Sequence, residues 1–91
     1  MAGIVAVIVK IMPDAPNADL EKIKKSALKD LEKEGAKNIS FTEEAIAFGL
    51  SALRIKFAWI EEKSTDIIEN ILAKIEHVSS VQIEDYRRAF G

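Results

Sequence analysis

At 91 residues, with 48% hydrophobic and 31% charged side chains, the chain has the make-up of one folded domain with a modest core, not of a disordered segment. It has no cysteine and one histidine, which excludes disulfides, thiolate metal ligands and a zinc site built on His77 alone. A net charge of −2 argues against non-specific nucleic-acid binding, which rests on neutralising phosphates.

The stretch "IVAVIV" is far short of the roughly 20 apolar residues that span a bilayer. It is also too short, and too weakly led by positive charge, for a signal peptide. No membrane association is expected. Abundant Lys and Glu is a bias shared by heat-adapted intracellular proteins, and the expected location is cytoplasmic.

Residues 3–12, "GIVAVIVKIM", are β-branched and apolar on both faces, as in a central strand. Val5, Val7, Val9 and Ile11 share one face; Ile4, Ala6, Ile8 and Lys10 share the other. "PDAPN" breaks regular structure with two prolines. Asp19 is an N-cap for a helix over 19–34, with Leu20, Ile23, Ala27, Leu28 and Leu31 as its apolar stripe and Gly35 at the C′ position. Residues 37–43 alternate as a second strand, and 50–60 as a third, with Leu53, Ile55, Phe57 and Trp59 on one face. "EEKST" is a polar loop. A second helix over 65–77 carries Ile67, Ile68, Ile71, Leu72 and Ile75. Its N-cap is one of Ser64, Thr65 and Asp66, Asp66 with Glu69 resembles a capping box, and His77 closes it where a cation suits the helix dipole. Val81 and Ile83 mark a last strand, and "YRRAFG" closes the chain.

The order β-α-β-β-α-β is the signature of an α+β, ferredoxin-like sandwich: a four-stranded antiparallel sheet with two helices on one face. Right-handed crossovers put the first and third strands in the centre. The whole of 1–91 reads as a single domain.

This fold hosts many functions, so function must be argued from sites. Stacking RNA bases needs aromatic rings on the open face of the central strands. Ile4, Ala6, Ile8, Lys10, Ala52, Arg54, Lys56 and Ala58 are expected there, none of them aromatic, so no direct nucleic-acid contact is expected. No nucleophile–base set, metal cluster or Gly-rich phosphate loop appears, and neither a cofactor nor a metal is expected. Glu43 and Glu44 are adjacent carboxylates that a strand sends to opposite faces.

Two features stay open. In "AIAFG", Ile46, Ala47, Phe48 and Gly49 place an apolar run where a polar turn is expected. Phe48 is either a core residue beside a permissive glycine or an exposed knob that anchors a protein partner. In "DYRRAFG", Tyr86, Arg87 and Arg88 are either solvated charge or a basic end that reaches an acidic or phosphate-binding site.

Three stretches, "KIMPDAPNADLEKIKK", "EEAIAFGLSALRIKF" and "IEDYRRAF", resemble the archaeal elongation factor 1-beta family over essentially the full length. The most specific motif is Ala45-Ile46-Ala47-Phe48-Gly49 followed by an alternating strand. The resemblance implies a guanine-nucleotide-exchange domain that is not itself an enzyme. It would promote GDP release and GTP loading on the GTPase elongation factor 1-alpha. It implies that Phe48 contacts the partner's nucleotide-binding domain. It also implies that a basic residue near the C-terminus, for which Arg87 and Arg88 are the candidates, enters the partner's magnesium and phosphate site. The alternative is a small-ligand regulatory or assembly domain of the same sandwich type.

Overall fold

A computed structural model describes residues 3–88. The elements are β1 (Ile4–Pro13), α1 (Leu20–Lys33), β2 (Lys37–Ala45), β3 (Ser51–Ile60), α2 (Thr65–Ala73) and β4 (Val78–Arg88). The strands form one antiparallel sheet in the order β2-β3-β1-β4, so the first and third strands are central as expected. Both helices cover one face.

The core is the set of side chains that share that face. Val5 pairs with Trp59, Val7 with Phe57, Val9 with Ile55 and Ile11 with Leu53, and all eight are essentially inaccessible. Ile23, Ala27 and Leu31 from α1 and Ile68 and Leu72 from α2 close over them. Trp59 is tied in twice over. Its ring meets Phe57 edge-on at 5.9 Å, and its indole N–H donates to the Lys63 carbonyl at 3.1 Å. Leu20, Ile71, Val81 and Ile83, expected to be buried, pack against this core but stay partly accessible. Leu20 opens its helix, Ile71 lies on the flank of α2, and Val81 and Ile83 belong to an edge strand.

The first helix ends as its sequence dictates. The Asp19 carboxylate accepts from the Glu21 and Lys22 amides at 3.0 and 3.3 Å. Gly35 takes φ 93°, its N–H donates to Glu32 and that of Ala36 donates to Leu31, the paired bonds of a Schellman ending.

The second helix starts on one of its three expected caps and departs from expectation beyond it. Ser64 is the N-cap, its hydroxyl accepting from the Asp66 amide at 3.1 Å, so Asp66 lies inside the first turn and no Asp66–Glu69 capping box forms. The helix stops at Ala73, not 77. The chain then tightens through Ile75 N–H to Leu72 and Val78 N–H to Ile75, because Val78 must turn back to pair with Pro13. Ile75 still reaches the core, which is why the apolar stripe outlasts the helix. His77 therefore caps no helix. It sits at φ 70° with Nδ1 3.4 Å from Asp14 and Nε2 3.3 Å from Glu76.

The other face of the sheet is open and carries charge instead of rings. Arg54 on β3 reaches Glu44 on β2 at 2.5 Å and Glu84 on β4 at 2.6 Å. Glu43 points the opposite way and pairs with Lys24 of α1 at 2.7 Å, as alternation predicts. Ala52 belongs to the open face by register yet is fully buried. The register of β4 on β1 steps from Val9–Ile83 to Ile8–Asp85, leaving Glu84 as an extra residue. This bulge turns Tyr86, opposite Val7, to the helix side.

Two outcomes are expected. Trp59→Ala removes a buried ring and should lower the unfolding free energy by about 3–5 kcal/mol, measured by urea denaturation monitored by circular dichroism. The Arg54 hydrogen bond holds the Glu84 carboxyl below its ordinary pKa against the opposing effect of desolvation, with the charges of Arg54 and Lys10 assisting. A carboxyl depressed in the folded state adds stability above its unfolded pKa and loses it as pH falls through the folded value. Stability should thus fall more steeply between about pH 5 and 2 in the parent protein than in Arg54→Met. Both partners are about 30% accessible, so the difference should be small.

Candidate functional site

The β2–β3 connection is a tight turn with an unusual tip. The Ile46 N–H donates to the Leu50 carbonyl at 2.9 Å, and the Leu50 N–H to the Ala47 carbonyl at 2.9 Å. The second bond closes a four-residue turn with Phe48 and Gly49 in the middle, at φ 55° and 78°. Positive φ at both central residues is the sign pattern of a type I′ turn, whose twist suits a hairpin and which normally takes Asn-Gly. Gly49 adopts it freely. Phe48 does not, since the left-handed region costs a residue with a Cβ about 1–2 kcal/mol.

Burial does not offset this cost. Phe48 is 95% exposed and Ile46 44% exposed, and Ala47 is exposed as well. The core reading of Phe48 is therefore wrong, and the exposed-knob reading describes its position. A bulky aromatic ring held in strained backbone and turned to solvent does nothing for the fold.

The basic end lies elsewhere. Tyr86, 45% exposed, lines an open groove with Glu61, Lys63, Ser64, Thr65 and Ile83 beside the start of α2. The Arg87 side chain is 79% exposed, with Nε 3.0 Å from Asp85. Arg88 donates to Glu61 at 2.5 Å, and that bond holds its pKa above the usual guanidinium value. Arg87 and Arg88 are paired residues at the end of a strand and not a free tail. Ala89, Phe90 and Gly91 of the same motif lie outside the described residues.

The two groups are at opposite ends of the sheet. Phe48 precedes Ser51, at the end where Ile11 pairs with Leu53, whereas Arg88 pairs with Val5 at the end where Ile4 meets Ile60. A ten-residue strand separates them, about 30 Å at the usual rise per residue. Ile46, Ala47, Phe48 and Gly49 form one cluster and Tyr86, Arg87 and Arg88 another, too far apart to share a pocket.

One contact was not legible in the sequence. Glu61 read only as part of a polar loop, yet it is the counter-ion of Arg88, 27 residues away. It has no local signal, because the pairing is made by the sheet register. Among the described residues, no group of three or more His, Asp or Glu side chains is placed to hold a metal ion. No helix there is long and apolar enough to cross a membrane.

Residues 6–89 match the EF-1 guanine nucleotide exchange domain. The chain is 38% identical over 87 residues to elongation factor 1-beta of Methanothermobacter thermautotrophicus, covering 94% of this chain and 97% of that protein. It is 40% identical over 87 residues to elongation factor 1-beta of Methanobrevibacter smithii, with the same coverage. With that of Methanocaldococcus jannaschii the identity is 40% over 83 residues, covering 90% of this chain and 92% of the other. An exchange-domain match across nearly the whole chain, joined to full-length similarity with these archaeal factors, shows that the chain belongs to the EF-1 guanine nucleotide exchange domain family.

Proposed function

We propose that this chain releases GDP from elongation factor 1-alpha and so allows GTP to load, acting in the cytoplasm with Phe48 as its anchor on the partner. The observation that carries the proposal is the Phe48 ring, strained in its backbone and 95% exposed. Such a ring gains its contacts only when a partner covers it, and a buried aromatic anchor is the usual centre of binding energy in an interface. Ile46 and Ala47 border it with apolar surface; Gly49 supplies the second positive φ that keeps the turn tight.

Exchange requires no bond chemistry in this chain. It requires tighter binding to the nucleotide-free or magnesium-free GTPase than to the loaded one. By linkage, each factor by which the chain weakens nucleotide binding is the factor by which nucleotide weakens binding of the chain. A thousandfold effect corresponds to about 4 kcal/mol of coupling. In this reading Phe48 supplies affinity at one end of the sheet. At the other end, Arg87 and Arg88 present positive charge to the partner's magnesium and phosphate site, beside Tyr86. Arg88 must first exchange Glu61 for an acceptor on the partner. A span of about 30 Å between the two groups requires a partner surface at least that long.

Release of a fluorescent GDP from elongation factor 1-alpha tests this reading. Phe48→Ala should slow stimulated release tenfold or more, about 1.4 kcal/mol, while leaving the thermal midpoint unchanged or slightly higher. Loss of the stimulation together with a large drop in midpoint would assign Phe48 to the fold instead. The double change of Arg87 and Arg88 to Ala should slow GDP release while sparing much of the binding to the GTPase. Changing both to Lys should retain part of the activity, because a point cation opposes a metal site without bidentate geometry. Stimulation by the parent protein should shrink as free magnesium rises. Unchanged rates in the double-Ala protein across magnesium concentrations would remove the basic end from the mechanism.

A further inference from the structure

Arg87 and Arg88 leave β4 in different company. Arg87, opposite Ala6, projects from the open face, and its Nε lies 3.0 Å from Asp85, two residues back on its own strand. Arg88, opposite Val5, projects to the helix side, and its guanidinium crosses to Glu61 at 2.5 Å. The first pair moves with its strand. The second joins β4 to the turn that follows β3.

That turn is fixed from several sides. The Glu61 N–H donates to the Gly3 carbonyl at 2.9 Å and the Lys63 N–H to the Ile60 carbonyl at 3.0 Å. The Lys63 carbonyl accepts from the indole of buried Trp59 at 3.1 Å. The Glu61 carboxylate folds over Gly3, filling the space a side chain there would need. Lys63, the other cation at this corner, is committed to the end of α1, where its ammonium donates to the Glu34 carbonyl. Among the described residues, Glu61 is the carboxylate that Arg88 meets. The Glu61 side chain is 32% accessible and that of Arg88 62%. The acceptor is held by backbone, and the arginine is the half of the pair that can leave. An ion pair this accessible shifts a population by a factor of about five at most. That keeps Arg88 on Glu61 for most of the time in the free protein. It is too little to hold Arg88 against a site that offers several anionic oxygens.

We propose that Glu61 is a positioning residue that works against exchange: it parks Arg88 on this chain, and GDP release is accelerated in the fraction of complexes in which Arg88 has left it. The inference rests on the exchange reading above. It deepens that reading by choosing Arg88 over Arg87 and by naming what restrains it. Freeing Arg88 raises the competent fraction, so the loss of an interaction speeds the reaction.

The test is Glu61→Gln, which keeps the side-chain shape and the backbone bond and removes the charge. It is made in the parent and in Arg88→Ala. Glu62→Gln serves as the control, the same charge change one residue on, at an exposed side chain. Release of fluorescent GDP from elongation factor 1-alpha is measured at saturating exchange factor. In the parent, Glu61→Gln should speed release about two- to fivefold, and Glu62→Gln should leave it unchanged. Arg88→Ala should slow release, and in that background Glu61→Gln should add nothing. In the free protein, nitrogen relaxation of the Arg88 Nε–H should show faster motion in Glu61→Gln than in the parent. Release unchanged or slowed by Glu61→Gln, with Arg88→Ala still impaired, would overturn the proposal and leave the exchange reading intact. A gain that persists in Arg88→Ala, or that Glu62→Gln matches, would overturn it too, since the effect would then belong to overall charge. If Arg88→Ala released GDP at the parental rate, the role given to Arg88 would fail first and the proposal with it.

Discussion

Four cross-strand pairs hold this molecule in register: Val5 with Trp59, Val7 with Phe57, Val9 with Ile55 and Ile11 with Leu53. All eight side chains project to one face and are removed from water, so this central ladder supplies half of the buried apolar residues and a large share of the hydrophobic stabilisation. Sliding β1 against β3 by one residue would send Ile4, Ala6, Ile8 and Lys10 into the helix layer and Trp59's partners into solvent. The helices, the edge strands and both candidate functional groups take their positions from this ladder. It puts the turn of Phe48 at one end of the sheet and Arg88 at the other.

The open face reflects the same register. Arg54 lies among Glu44, Glu84 and Lys10 because β2, β3, β1 and β4 lie side by side in that order. Pairs this accessible contribute little each, and their arrangement does more to keep the uncovered face charged than to hold the strands together. The edge strands carry the irregularities. Asn38 at φ 55° accompanies a register shift in β2, and Glu84 is the extra residue in β4. A bulge in a central strand would disrupt two ladders at once. At an edge it disrupts one and re-aims the residues beyond it, here Tyr86.

Against this consistent background the Phe48 turn stands apart. Elsewhere among the described residues no large apolar side chain is more than half exposed, and left-handed backbone falls to glycine or to polar residues such as Asn38 and His77. Phe48 breaks both rules in one residue. Positions where local preference is overridden without gain to the fold are where function is to be sought. The family's description as a guanine nucleotide exchange domain supplies a context in which an exposed, strained aromatic has a use.

Periodicity in the sequence settled the element order, the central strands, the buried faces of β1 and β3, and both ends of α1, because each depends on residues within a few positions of one another. Asp19 and Gly35 cap their helix through their own neighbours, and alternation separates Val7 from Ile8 wherever the strand is placed. The sequence also marked "AIAFG" as anomalous, but left Phe48 poised between core and surface, since an apolar residue beside glycine suits either. Tertiary structure decided that question by leaving the Phe48 ring 95% exposed. It also decided what no window could hold: the early end of α2 at Ala73, where Val78 must return to Pro13; the reversal of Tyr86 by a bulge defined only against β1; and the pairing of Arg88 with Glu61. That last contact joins residues 27 positions apart, and it exists only because the buried ladder of β1 and β3 sets the register.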